Sequence, residues 1–214
     1  MALIVFTDFD GTITKEDTLV MVLDRFACRP WGDIEDLVTQ NKMTEREALQ
    51  AEFDLVTASF SEVLHFLQEN VQIDETFKKF VEWCRKNKFP LTVLSGGFRP
   101  FIDITFKKFD IANGIHIYAN MVEVINAKWK IIPSQLPKIN NLCNHCKTHH
   151  LVQAKKEHNT IVYIGNGNTD RCPAAQADVI FAKESLAQFL NDNKHTYHNF
   201  KNFSHIQEQL QMYI

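Results

Sequence analysis

The sequence predicts an α/β fold: a doubly wound, mostly parallel sheet with a helical segment inserted after the first strand. Three observations carry this expectation. Short, nearly continuous apolar runs recur at "LIVFT", "LTVL", "TIVYIG" and "DVIFA", as strands buried on both faces require. These runs alternate with stretches of helical period. Polar strings follow the apolar runs, in "TDFDGTIT", "SGG" and "NGNTD", and sheets of this kind bind ligands beyond the carboxyl ends of their strands.

Taken in order, residues 3–7 form the first strand. From about Asp17 to Asn87 the pattern is helical. Leu19, Val22, Leu23 and Phe26 share one face, and Phe77, Phe80, Val81 and Cys84 share another. Between them "MTEREALQAEFDLV" and "SFSEVLHFLQEN" read as two more helices, with Thr44 or Ser61 as caps. That is too much helix for a simple crossover, so the spacing predicts a small helical lid. The core is expected at 1–14 and 88–214, and the cap at 15–87, with the helix near 74–87 packed on the core.

A second strand at 91–94 ends at "SGG" and leads into a helix carrying Phe98, Phe101, Ile102, Phe106 and Phe109. "IHIYANMVEVINAKWKIIP" alternates and predicts a strand and a hairpin. The polar loop "SQLPKINNLCNHCK" leads into a helix near 148–158. After the third strand, 174–177 sits on a helix, "DVIFA" is a fourth strand, and "KESLAQFLND" and "FSHIQEQLQMYI" close the chain as helices.

Composition narrows the function classes. A chain of 214 residues, 45% hydrophobic and with 17 Phe, suits one domain with a modest insertion and a real core. A net charge of −3 argues against a nucleic-acid surface. No run reaches the ~18 apolar residues of a membrane span, and the apolar run at the N-terminus is too short for a leader. Five cysteines, an odd number, fit reduced thiols in a cytoplasm. The expected partner is a small molecule, not nucleic acid or membrane, with monomer and homodimer both open.

Asp8 and Asp10 stand at i and i+2, so both carboxylates point to one side of the strand end. Held that close they repel, which raises one pKa unless a divalent cation or a shared proton intervenes. Gly11 permits a tight turn, and the turn amides of Gly11 and Thr12 are expected to face an anion. Such a layout suits phosphoryl transfer: one carboxylate attacks phosphorus and the other carries the proton of the leaving oxygen. Mg²⁺ suits oxygen ligands beside a phosphate.

"DFDGTIT" resembles the first motif, D-x-D-G-T, of the haloacid dehalogenase-like superfamily, in its phosphoserine-phosphatase-like branch. The other motifs follow in order: "VLSGG", "CK" before a helix, and "IGNGNTD". The resemblance implies a Rossmann-like core with an inserted cap and a Mg²⁺-dependent phosphatase acting on a small phosphorylated metabolite through an aspartyl phosphate. It makes Asp8 the nucleophile and Asp10 the general acid/base. It places Gly11, Thr12, Ser95, Gly96 and Lys147 on the phosphate, and Asp8, the Asp10 carbonyl, Asn166 and Asp170 on the metal. Lys155 and Lys156 rival Lys147, but their mid-helix position favours Lys147. The cysteine loop, "DRCPA" and "ADVIFAKESL" look like the methionine-salvage ketopentenyl-phosphate phosphatases and the phosphoethanolamine/phosphocholine phosphatases.

Asn166 departs from the pattern, which has Asp there. A neutral amide ligates Mg²⁺ more weakly, unless Asp170 moves in. A weak or inactive phosphate-ligand-binding relative therefore stays open, as does a phosphotransferase. In the cap, Asp17 and Glu52 are candidate pocket residues, with Phe98 after the "SGG" turn. If Glu52 faces inward, a neutral or cationic substrate fits better than phosphoserine. Cys143, Cys146, His149, His150 and Cys172 make a zinc set conceivable. The alternative is that reduced thiols shape the loop before Lys147.

Overall fold

The computed structural model describes residues 3–111, 114–125, 128–132, 145–157 and 160–213. The chain begins with β1 (Leu3–Thr7), followed by α1 (Thr18–Phe26), α2 (Gly32–Thr39), α3 (Glu45–Phe53), α4 (Phe60–Asn70) and α5 (Phe77–Lys86). Next come β2 (Leu91–Phe98), α6 (Arg99–Lys108), β3 (His116–Ile125), β4 (Lys128–Ile132) and α7 (Lys147–Ala154). The last part holds β5 (Thr160–Gly165), α8 (Arg171–Ala174), β6 (Val179–Ala182), α9 (Glu184–Asp192), β7 (His198–Asn199) and α10 (Phe203–Leu210).

The described strands form one seven-stranded sheet in the order β4-β3-β2-β1-β5-β6-β7. Every pairing is parallel except that of β3 with β4. The order reverses at β1, so the crevice beyond its carboxyl end is the switch point where ligands of such sheets bind.

Alternation along β1 explains the two apolar layers. Leu3 and Val5 face a core that includes Phe77, Phe80, Ile102, Phe106 and Phe203 from α5, α6 and α10. Ile4 and Phe6 face Leu151, Leu186 and Leu190 from α7 and α9. Burial on both faces is why the strand shows no polar alternation.

Helices α1 to α4 lie between β1 and β2 in sequence. The chain leaves and re-enters the sheet side by side: Lys15 N donates to the Gln72 carbonyl (3.0 Å), and Asp74 N to that of Ile13 (2.9 Å). A third apolar cluster fastens these helices to the rest, with Val22, Phe53, Val63 and Leu67 meeting Phe98, Phe101, Trp129 and Ile131. Gln50 on α3 adds polar contacts, donating to the Trp129 carbonyl (3.1 Å) and accepting from Ile131 N (3.4 Å).

Several local expectations shift. Helix α2 was not anticipated. The cap of α4 is Ser59, not Ser61: the extended Ser59 accepts from Glu62 N while Glu62 bonds back, a capping box. Thr44 caps α3 in the same way. β2 runs on to Phe98, so Phe98 belongs to the strand and α6 begins after it. The helix expected at 174–177 is instead the short α8. The predicted hairpin is the antiparallel pair β3–β4. Most of the "SQLPKINNLCNHCK" loop, with Cys143, lies outside the described residues.

Candidate active site

Three strand ends and one helix entry build the site. Asp8 directly follows β1 and is 6% exposed. Lys147, the first residue of α7, reaches it from the side: its Nζ donates to Asp8 Oδ1 at 2.6 Å and to Asp170 Oδ1 at 2.7 Å. Thr169 Oγ1 lies 3.3 Å from the same Nζ. Asp170 is held further by the Tyr163 hydroxyl, which donates to Oδ1 (2.6 Å), and by the amides of Asn166 and Gly167, which donate to Oδ2 (2.9 Å each). Gly165 leaves room for that carboxylate, since a Cβ there would lie 2.6 Å from Asp170 Oδ2.

One cation is thus shared by two buried carboxylates, and the electrostatics split them. Burial raises the Asp170 pKa, but Lys147, Tyr163 and the Gly167 amide outweigh it and leave Asp170 low. Burial and the Asp170 charge push Asp8 up to about 8, against the pull of Lys147. Burial works against the Lys147 charge, but Asp170 and Asp8 raise its pKa overall.

Asp10 faces the same cleft. Its Oδ1 accepts from the Thr18 amide (2.9 Å) and hydroxyl (2.6 Å). Ser95 Oγ, fully buried within β2, approaches Oδ2 at 3.5 Å and accepts from Gly97 N at 2.9 Å. A Cβ on Gly97 would lie 2.7 Å from Asp10 Oδ2. Burial, with the Asp17 charge, pushes Asp10 up to about 7, although the Thr18 bonds oppose it.

Asn166 closes the third side. Its Oδ1 accepts from Thr12 Oγ1 (2.8 Å) and its Nδ2 donates to Glu184 Oε2 (2.8 Å). Gly11, at φ +70°, brings the turn so close that a Cβ there would collide with the Asn166 side chain.

A cleft of about 460 Å³ joins these groups to α1–α3. Asp8, Asp10, Gly96, Gly97 and Asn166 line one end, and Asp17, Trp31, Glu35 and Glu52 the other. Glu52 is 6% exposed. Burial and the charges of Glu35 and Asp17 push it up to about 7.

Several sequence expectations need correction. The amides of Gly11 and Thr12 do not face an anion: they donate to Thr14 Oγ1 (3.1 Å) and the Phe9 carbonyl (3.2 Å), because the turn closes on itself. Asp170 is not open to a metal, since both oxygens are already engaged and the residue is fully buried. Phe98 does not line the cleft: it is 1% exposed and packs on Phe53 and Phe101. Asp17 lines the cleft and also caps α1, accepting from Leu19 N and Val20 N.

Around the suggested zinc set, His145 Nε2 and His150 Nε2 stand 3.1 Å apart. Cys146 is buried and Cys172 exposed. Among the described residues no three of His, Cys, Asp or Glu gather into a metal-binding group. Thr18, Tyr163, Gly97, Glu35 and Glu184 were missed. None has a local signal, because each is defined by what lies across the fold from it.

Paired carboxylates and a buried lysine at the switch point of a doubly wound sheet place the molecule among α/β proteins with a charged ligand cleft. The chain belongs to the haloacid dehalogenase-like hydrolases, whose family model matches residues 5–175. It is 30% identical to Pdp3-interacting factor 1 of Schizosaccharomyces pombe, over 98% of this chain and 95% of that one. It is 32% identical to the 2-hydroxy-3-keto-5-methylthiopentenyl-1-phosphate phosphatase of Bacillus pumilus, over 86% and 80% of the two chains. A substrate-bound phosphoserine phosphatase structure superposes with a TM-score of 0.70 at 16% identity, covering 100% of this chain and 98% of that one. A phospho-aspartyl intermediate analogue of phosphoserine phosphatase also gives 0.70, at 17% identity and the same coverage. At these identities the structural likeness speaks for the fold. Among the described residues no helix is long and apolar enough to cross a membrane.

Proposed function

We propose that this hydrolase is a Mg²⁺-dependent phosphomonoesterase of the cytoplasm that works on small phosphorylated metabolites through an aspartyl phosphate at Asp8. One observation carries the reading: Lys147 holds Asp8 Oδ1 at 2.6 Å while Asp10, two residues on, lines the same cleft. The phosphatase relatives support it.

The donor set fits Mg²⁺. Asp8, the Asp10 carbonyl and Asn166 offer hard oxygen ligands. Two buried carboxylates with raised pKa values are the environment a cation relieves. When bound, the ion supplies charge neutralisation at the phosphoryl group.

The chain's own residues do the rest. Asp8 attacks phosphorus as the ester P–O bond breaks, and the leaving alkoxide takes the proton of Asp10. Burial and the Asp17 charge raise the Asp10 pKa, which favours the protonated form that a general acid needs. Water then attacks phosphorus, returns a proton to Asp10 and frees Asp8 with release of inorganic phosphate. Lys147, Ser95 and Gly96 hold the phosphate oxygens. Asp170 positions Lys147. Helices α1–α4 act as the cap that excludes water and selects the leaving group.

Phosphate release from a panel of small esters, with and without Mg²⁺, tests this. Mg²⁺-dependent turnover that disappears in Asp8→Asn supports it, and transfer of phosphate to a second alcohol in place of release identifies a phosphotransferase. Asn166 favours a second reading, a weak or inactive phosphate-binding relative, because its amide brings no charge. No turnover in the wild type, with turnover appearing in Asn166→Asp, selects that reading.

A further inference from the structure

The one buried residue of β3 is an amide, Asn120, at 1% exposure. An amide taken out of water is costly unless it is hydrogen-bonded. Asn120 Nδ2 donates to the Gly96 carbonyl at 2.7 Å, so the side chain reaches across to the polar end of β2.

The register of β2 on β3 explains why a side chain is needed there. Leu94 lies opposite Tyr118 and Phe98 opposite Asn120, so β2 advances four residues while β3 advances two. The surplus is a bulge through Ser95, Gly96 and Gly97. Bulges interrupt the backbone ladder and re-aim the side chains they carry. Here two side chains clamp the Gly96–Gly97 peptide. Asn120 holds its carbonyl, and its N–H, that of Gly97, donates to Ser95 Oγ at 2.9 Å. A peptide unit is planar and stiff, so these two bonds fix its plane and, through the second, the Ser95 hydroxyl. Because Oγ accepts from Gly97, its own proton is left to donate into the cleft, where Asp10 Oδ2 lies 3.5 Å away. The other side of the bulge is just as close: a Cβ on Gly97 would lie 2.7 Å from Asp10 Oδ2.

We propose that Asn120 is a positioning residue for phosphate binding: through the Gly96–Gly97 peptide it sets the Ser95 hydroxyl toward a phosphate oxygen. This rests on the phosphomonoesterase reading, in which Ser95 holds such an oxygen, and adds a residue that lies outside the sequence motifs. A donor fixed before the phosphate arrives needs no reorganisation as charge develops.

A double-mutant cycle tests it. Asn120→Leu keeps the branched shape of the amide and removes its donor, and Asn120→Ser replaces it in the cycle if the Leu variant fails to fold. With 4-nitrophenyl phosphate and Mg²⁺, Ser95→Ala should lower kcat/KM about 100-fold, the usual effect of one missing oxyanion donor. Asn120→Leu should lower it about tenfold, and in the Ser95→Ala background less than about twofold, because the group it positions is gone. A residue that only supports the fold acts independently of Ser95. Asn120→Leu within twofold of wild type, or a loss that multiplies in full with that of Ser95→Ala, therefore overturns the proposal. If the wild type hydrolyses no ester, the phosphatase reading fails separately, and the same four proteins are titrated calorimetrically with inorganic phosphate and Mg²⁺. Affinity losses that fail to add then support the proposal. Additive losses, no loss, or no binding by the wild type reject it.

Discussion

Asn166 hands its side-chain amide to Glu184: Nδ2 donates to Oε2 at 2.8 Å, while Oδ1 accepts from Thr12 at the same distance. Glu184 opens α9 at φ +51°, a left-handed conformation that costs a non-glycine residue about 1 kcal/mol or more. The carboxylate polarises the amide and makes its oxygen a better ligand, as outer-shell carboxylates do for metal-bound imidazoles. Asn166→Asp replaces this bond by two facing carboxylates. Without metal the variant should melt about 2–4 °C lower, the equivalent of some 1 kcal/mol in a chain of this size. Its Mg²⁺ affinity, read from Mg²⁺-dependent melting, should rise about tenfold with the added charge. An unchanged Mg²⁺ affinity would remove Asn166 from the ligand set.

Lys147 neutralises two buried carboxylates at once, so its loss strands both. Lys147→Ala should destabilise the fold by about 3–5 kcal/mol, the usual cost of orphaning a buried charge, and abolish turnover. Lys147→Met combined with Asp170→Asn removes one of the stranded charges. Denaturant melts should show part of the stability restored while turnover stays absent. Recovery of turnover in that double variant contradicts a phosphate-binding role for Lys147.

The sheet and the paired carboxylates were legible in the sequence because each has a local signature, whereas Lys147 was reached only through the resemblance of "CK" before a helix to the third motif. The buried strand "LIVFT" and the i, i+2 spacing of Asp8 and Asp10 contain their own geometry. The phosphate role assigned to the Gly11 and Thr12 amides failed for the converse reason: a turn sequence does not tell which amides are consumed by the turn itself. Phe98 read as core by its helical spacing and as a pocket candidate because it follows Gly97, and its packing on Phe53, far off in sequence, decides for the core. Tyr163 and Thr18 look like strand and helix residues until Asp170 and Asp10 are brought to them by the fold. Helix α2 is short and sits between polar loops, so its periodicity is weak.

Gly97 tests how tightly Asp10 is fitted. A methyl group there would lie 2.7 Å from Asp10 Oδ2 and 3.2 Å from Ser95 Oγ, and Asp10 is also anchored by Thr18. Gly97→Ala must displace the carboxylate, and misplacement by about 1 Å costs roughly 100-fold in rate. The variant should fold with a near-native melt, because the added methyl points into the cleft and not the core. Turnover within twofold of wild type would mean that Asp10 is not held in the position its proton transfer requires.

Glu52 also ties stability to pH. Its pKa is raised from 4.5 to about 7, by burial first and then by Glu35 and Asp17, so the folded protein holds this proton over a range where the unfolded chain has released it. The protonated residue costs the fold nothing below about pH 4.5. The penalty grows as pH rises toward 7 and is complete above it, of order 2 kcal/mol from the shift. Glu52→Gln removes the titration, so its melting temperature should exceed that of wild type by about 4–8 °C near pH 8.5. Near pH 4 the two should melt together, since Glu52 is then mostly neutral in both the folded and the unfolded chain. A melting gain of the same size at both pH values would assign the effect to packing and not to ionisation of Glu52.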